Sequence, residues 1–259
     1  MREKKTYIGL IAIFLAFFAF MFVIFGLPSI KKKKYSANII VGDQTIWNYK
    51  DNKWTSIKAN TSIQDLSWQE YNVFINNQKV GNYYLWHDDK WYAFDKNRKA
   101  IVLDGYLLAY QANFDLKVFS FSEEEIVDRT YVDYVLEQNN LDITSQFTIS
   151  SKVSFDFDND SVIEDFYLIS NAFSYEVVPD NIFSLVFMVK NNTIYPIYTD
   201  VDANRGFNGC QPYLRSFLDV DNDNTSEFIL SCSKYSIAGD VDMLYKFEND
   251  EFKIIISNQ

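Results

Sequence analysis

The pattern of apolar positions divides the chain into two unequal parts. Residues 7–27 carry no charged side chain and read as an apolar run dominated by Phe, Ile and Leu, with Ala and Gly interspersed. As an α-helix that run covers about 30 Å, the thickness of a bilayer's hydrocarbon core. Pro28 cannot continue a helix, and Lys31, Lys32, Lys33 and Lys34 suit a headgroup layer. A cleaved signal peptide has a shorter apolar region and ends in a small-x-small site. The stretch Gly26-Leu27-Pro28-Ser29 is a poor match, and no Cys follows for lipid attachment. Residues 1–34 therefore read as a cytoplasmic tip, a transmembrane anchor and a basic flank.

Beyond residue 35 the pattern changes to short alternating runs. Region 35–121 reads as β-hairpins, because β-branched and aromatic residues fit a pleated surface. Residues 45–49 run into a turn at 50–53 and return over 54–57. Residues 71–75 lead to an Asn76-Asn77 turn. Residues 83–86 and 91–94 flank Asp88-Asp89, which would set Trp86 opposite Trp91. Residues 122–140 predict one amphipathic helix. Ser122 and Glu125 have capping-box spacing, and Ile126, Val127, Thr130, Tyr131, Tyr134 and Val135 recur at helical intervals.

Region 141–259 contains an internal repeat. Each copy reads strand, acidic loop, strand, connection, strand, tight turn, strand. The acidic runs begin at Asp156 and Asp219, and the turns fall at Asn191-Asn192 and Asn249-Asp250. Four antiparallel strands form a propeller blade or half of a sandwich. The fold expected is all-β: an anchor, hairpins, one helix and two four-stranded blade-like repeats, arranged as a propeller or a sandwich.

The chemistry concentrates in those loops. Calcium takes six to eight oxygens, and aspartates on alternate residues of a curled loop can converge on one point. The first loop offers Asp156, Asp158 and Asp160, closed by Glu164 or Asp165. The second offers Asp219, Asp221 and Asp223, closed by Glu227. An EF-hand is excluded. Its obligatory Gly and Glu positions hold Ser161 and Tyr167 in one loop, Asn224 and Leu230 in the other.

The runs DFDNDSVIED and DVDNDNTSE, with their apolar flanks, resemble the loops of FG-GAP and VCBS-type repeats. Those are the calcium-loop modules of integrin-like β-propellers and many bacterial surface proteins. The resemblance implies metal ligands at the first, third, fifth and ninth loop positions: Asp156, Asp158, Asp160 and Glu164, then Asp219, Asp221, Asp223 and Glu227. A first loop one residue longer would put Asp165 in the closing place. Family loops favour Gly at the fourth and sixth positions, where this chain has Asn159 and Ser161, then Asn222 and Asn224.

Charge and composition narrow the rest. The chain carries −11, of which the membrane-proximal part contributes +6, leaving −17 on the remaining domain. Nucleic acid is repelled by such a surface, and cations are attracted. Cys210 and Cys232 flank the second loop and leave two readings open, a disulfide bracing it or two buried thiols. His87 is the only histidine and reads as an exposed hairpin-turn residue rather than a catalytic base; no other His is present for an alternative triad, and no HExxH motif occurs. All five tryptophans fall in the first half, where they read as strand-pair aromatics or a sugar-stacking platform.

Arg2, Lys4 and Lys5 before the span against four lysines after it slightly favour a cytoplasmic C-terminal domain, although long domains translocate largely regardless of flank charge. Calcium-type loops and a Cys pair favour an extracytoplasmic C-terminal domain. The function expected is a single-pass, membrane-tethered, calcium-binding adhesion or binding module without catalysis. Its partner would be a protein or a wall polysaccharide. The alternatives are a carbohydrate-active enzyme using paired carboxylates and a structural subunit of an envelope complex.

Overall fold

A computed structural model describes residues 36–42, 45–50, 53–58, 66–88, 90–172, 181–202, 209–234 and 240–258. No helix among them is long and apolar enough to cross a membrane, and the anchor expected over residues 7–27 lies outside them. The hairpins of the first half join into one eight-stranded antiparallel sheet. Its strands are β1 (Ser36–Val41), β2 (Thr45–Lys50), β3 (Lys53–Lys58), β4 (Glu70–Ile75), β5 (Gln78–His87), β6 (Trp91–Phe94), β7 (Ala100–Ile101) and β8 (Leu107–Gln111), in the order 3-2-1-8-4-5-6-7.

Each repeat forms its own antiparallel meander. The first is β11 (Ile149–Phe155), β12 (Glu164–Ser170), β13 (Ile182–Lys190) and β14 (Thr193–Asp202). The second is β15 (Cys210–Asp219), β16 (Glu227–Lys234), β17 (Asp240–Glu248) and β18 (Glu251–Ser257). Both tight turns hold two consecutive residues at positive φ, 49° and 62° at Asn191-Asn192 and 54° and 62° at Asn249-Asp250. That geometry matches the right-handed strand twist and favours Asn and Asp.

The segment between the two halves departs from expectation. Glu123–Glu125 is a strand, β10, and not the first turn of a helix; it pairs with β11 as the fifth strand of the first repeat. Just before it, β9 (Lys117–Phe119) pairs with β15 as the fifth strand of the second. The helix, α1, is the shorter Thr130–Gln138. Asp128 starts it by accepting from the Thr130 N–H at 2.9 Å.

The layers follow from which faces are apolar. Phe166, Leu168, Val186 and Met188 of the first repeat pack against Phe217, Phe228, Leu230 and Met243 of the second. The two sheets therefore face each other as a sandwich. The outer face of the first, including Tyr167, Ile169 and Leu185, is covered by Val132 and Leu136 of α1. On the outer face of the second, Leu218, Ile229 and Leu244 meet Ile39, Trp47 and Tyr110 of the eight-stranded sheet. Strands covered on both sides read as continuous apolar runs, as Phe228-Ile229-Leu230 does in β16.

The eight-stranded sheet has a second core, with Ile40, Tyr71, Leu85, Trp91 and Ala93. Trp91 lies opposite His87, and Trp86 opposite Tyr92. The expected Trp86–Trp91 pair is thus displaced by one residue, because the connecting loop spans 88–90. Since side chains alternate, the displacement sends Trp91 inward and Trp86 outward.

Asp242 is a carboxylate buried between the eight-stranded sheet and the second repeat, 3% exposed. Its Oδ1 accepts from Tyr106 at 2.8 Å and Ser231 at 2.5 Å, its Oδ2 from Thr45 at 3.3 Å and Asn258 at 3.3 Å. Burial pushes its pKa up to about 6, against the pull of the Ser231 and Tyr106 hydrogen bonds. Cys210 and Cys232 form a disulfide, Cα to Cα 5.2 Å. It closes the open end of the β15–β16 hairpin, whereas the acidic loop lies at the other end, so the expected bracing of that loop is not found.

Candidate functional site

Both acidic loops curl in the way their residues require. Asn159 and Ser161 have φ of 56° and 70°; Asn222 and Asn224 have 58° and 69°. These are the left-handed positions where the chain lacks glycine. Side chain–backbone bonds set the curl. Asp156 accepts from the N–H groups of Asp160 and Ser161, each at 3.1 Å. Asp160 and Asp223 each accept from the N–H two residues on, at 2.8 Å. The closing glutamates reach back across their loops: Glu164 accepts from Phe157 N–H and Glu227 from Val220 N–H, both at 3.1 Å. The two loops also touch, since Ser226 N–H donates to Phe157 O at 2.7 Å.

Six of the expected ligands gather in two groups, while Asp160 and Glu227 stand outside them. Oxygens of Asp156, Asp158 and Glu164 lie within 4.8 Å of one another, as do those of Asp219, Asp221 and Asp223. Asp165 takes no part; it pairs with Ser154 at 2.5 Å and Lys152 at 3.5 Å, so Glu164 is the closing residue.

The pattern of aspartates alone did not reveal the lysine in each cluster. Lys190 Nζ lies 2.6 Å from Asp158, 2.6 Å from Asp160 and 2.9 Å from Glu164. Lys246 Nζ lies 2.8 Å from Asp221, 3.1 Å from Asp223 and 3.2 Å from Glu227. A further lysine, Lys117 of β9, pairs with buried Asp219 at 3.0 Å. Burial pulls the Lys190 and Lys246 pKa values down, but their carboxylate partners raise both above the usual lysine value. Burial also lifts Glu227 to about 7, with Lys246 opposing it.

This geometry tests the fit of calcium. The oxygens are hard donors of the right type. However, an ammonium stands among the carboxylates of both loops, Lys190 against Asp158, Asp160 and Glu164, and Lys246 against Asp221, Asp223 and Glu227. The buried carboxylate oxygens without a hydrogen bond among the described residues are Asp158 Oδ1, Glu164 Oε1 and Asp219 Oδ1, and of these Glu164 Oε1 faces Lys190 at 2.9 Å. With Lys190 and Lys246 in place each cluster holds an ammonium, and a calcium ion, which takes six to eight oxygens, would have to displace it.

A second candidate site lies on the outward face of β5 and β6. Register places Tyr84 opposite Phe94 and Trp86 opposite Tyr92, on the face away from Leu85 and Ala93. The Trp86 and Tyr92 rings are 5.5 Å apart, and Trp68 lies 5.2 Å from Phe94. Trp68 is 50% exposed and Tyr84 36%. Arg98 sits over Trp68 at 6.0 Å and Lys90 over Tyr92 at 5.7 Å. Trp68 has φ of 63°, rare for a bulky side chain, and its N–H donates to Leu85 O at 2.6 Å. His87, beside this surface, stacks edge-on with Trp91 at 4.8 Å.

No family model, curated protein or solved structure matches this chain, so its likeness to calcium-loop repeats rests on the loop residues themselves.

Proposed function

We propose that the chain is a membrane-tethered, non-catalytic binding module outside the cytoplasm, and that the aromatic stripe of β5 and β6 binds a wall polysaccharide. The observation that carries this reading is the outward row Trp68, Tyr84, Trp86, Tyr92 and Phe94, with a cation near each end. Sugar rings present flat C–H faces, and Trp and Tyr offer large, rigid surfaces to stack on them. A backbone outlier at an exposed tryptophan costs about 1–3 kcal/mol and is characteristic of ligand-contact positions. The domain carries −17 overall and repels an anionic polymer, so the ligand that suits the stripe is a neutral polysaccharide, with Lys90 and Arg98 as donors to its hydroxyls.

Two further observations support the reading. The Cys210–Cys232 bond suits an oxidising compartment. The carboxyls most displaced towards neutrality, Glu227 and Asp242, are 2% and 3% exposed and thus closed to a substrate, which disfavours carboxylate catalysis.

Affinity electrophoresis of the full-length chain in detergent, through gels holding acidic or neutral polysaccharide, tests the proposal. Retardation by the neutral polymer is expected, with Trp68→Ala and Trp86→Ala each weakening it about tenfold, the scale of an interface aromatic. Retardation by neither polymer, or retardation that both variants keep, would remove the stripe as the binding surface.

A further inference from the structure

We propose that Lys190 and Lys246 are built-in counter-cations that take the place of calcium, so that both acidic loops hold their shape without an external metal. The case begins with position. Asp165 pairs with Val189 across β12 and β13, which puts Glu164 opposite Lys190. Phe228 pairs with Tyr245 across β16 and β17, which puts Glu227 opposite Lys246. Each lysine is thus the cross-strand neighbour of its loop's closing glutamate. The same arrangement occurs in both repeats, although the loops lie 34 and 27 residues upstream of their lysines, measured from Asp156 and Asp219.

Geometry and charge point the same way. An ammonium has three N–H donors, and each here meets three carboxylates. Lys190 Nζ approaches Asp158 and Asp160 to 2.6 Å, and a calcium ion would need to lie about 2.3–2.6 Å from those oxygens. The two occupants exclude each other. In the second loop Lys117 neutralises Asp219 while Lys246 spans the other three acids, so two lysines supply the charge of one divalent ion. A cation carried on a strand of the same domain has an effective concentration that does not depend on the medium. The repeats thereby keep a calcium-type loop backbone and dispense with the ion.

The test compares melting of the full-length chain in detergent with chelator and with millimolar calcium. For the natural sequence the two melting temperatures should agree within about 1 °C. Lys246→Met keeps the apolar stem and removes the charge; it should melt lower in chelator and regain about 4 °C or more with calcium. Lys190→Met should do the same through the first loop. A calcium-dependent rise in the natural sequence would overturn the proposal. So would methionine variants that fold but ignore calcium, because the lysines would then not be standing where the ion binds. Should neither variant fold in either medium, calorimetric titration of the natural protein with calcium decides: absence of heat supports the proposal, and saturable heat refutes it.

Discussion

At the scale of single residues, the loops show what a sequence reveals and what it hides. Alternate aspartates are visible in the sequence, and so is the need for left-handed backbone at their fourth and sixth positions. Asn159, Asn222 and Asn224 meet that need well, because a short polar side chain tolerates φ near +60°. Ser161, at 70°, is the least suited of the four. Ser161→Gly should stabilise the domain by up to about 1 kcal/mol, read from the midpoint of denaturant unfolding. A fall in that midpoint would mean that its side chain, not its backbone, matters. Lys190 and Lys246 were not legible, because what places them beside the aspartates is strand register. A sequence search pairing each closing glutamate with the residue opposite on the next strand would have found both.

At the scale of elements, the turns were the readable part. Asn76-Asn77, Asn191-Asn192 and Asn249-Asp250 each join strands where expected, since the turn's chemistry is local. Elements whose identity depends on distant partners were not readable. Glu123–Glu125 has the local signature of a helix start, yet it is held extended by pairing with Ser151, Lys152 and Val153. The single-residue displacement at Trp86 came from a loop longer than two residues. It also created the aromatic stripe, by setting Trp86 and Tyr92 on one outward face. The cysteines lie close in sequence to the acidic loop, but a hairpin separates its two ends. Replacing both by Ala should remove about 3 kcal/mol through the looser unfolded chain, measured by denaturant unfolding. Full stability in the double variant would mean the bond constrains nothing in the unfolded state.

At the scale of the molecule, the second repeat is the middle layer, and Asp242 is its buried polar link to the eight-stranded sheet. Its folded pKa, about 6, lies above the ordinary aspartate value. The folded state therefore holds the proton more tightly than the unfolded one. The resulting stabilisation is complete below the ordinary aspartate range and is lost as pH rises through about 6. A two-unit displacement corresponds to roughly 3 kcal/mol. Melting temperature should consequently fall between roughly pH 4 and pH 7, and Asp242→Asn should make the fall shallower, leaving the part due to Glu227, which burial lifts to about 7. An equally steep fall in the variant would assign the pH dependence to other groups.

The placement of β9 and β10 has a consequence for how the chain is made. These adjacent strands complete two different sheets, and their partners, β15 and β11, arrive later in the chain. The ion pair of Lys117 with Asp219 closes a loop of 102 residues. Emerging from a ribosome or a translocation channel with its N-terminus leading, the polypeptide exposes residues 117–125 before either partner strand exists. The sandwich cannot be finished in instalments: its edges are sealed only after β15 has appeared. Long-range closures of this kind make folding slow, which leaves a newly made chain without its finished sandwich until the second repeat has been synthesised.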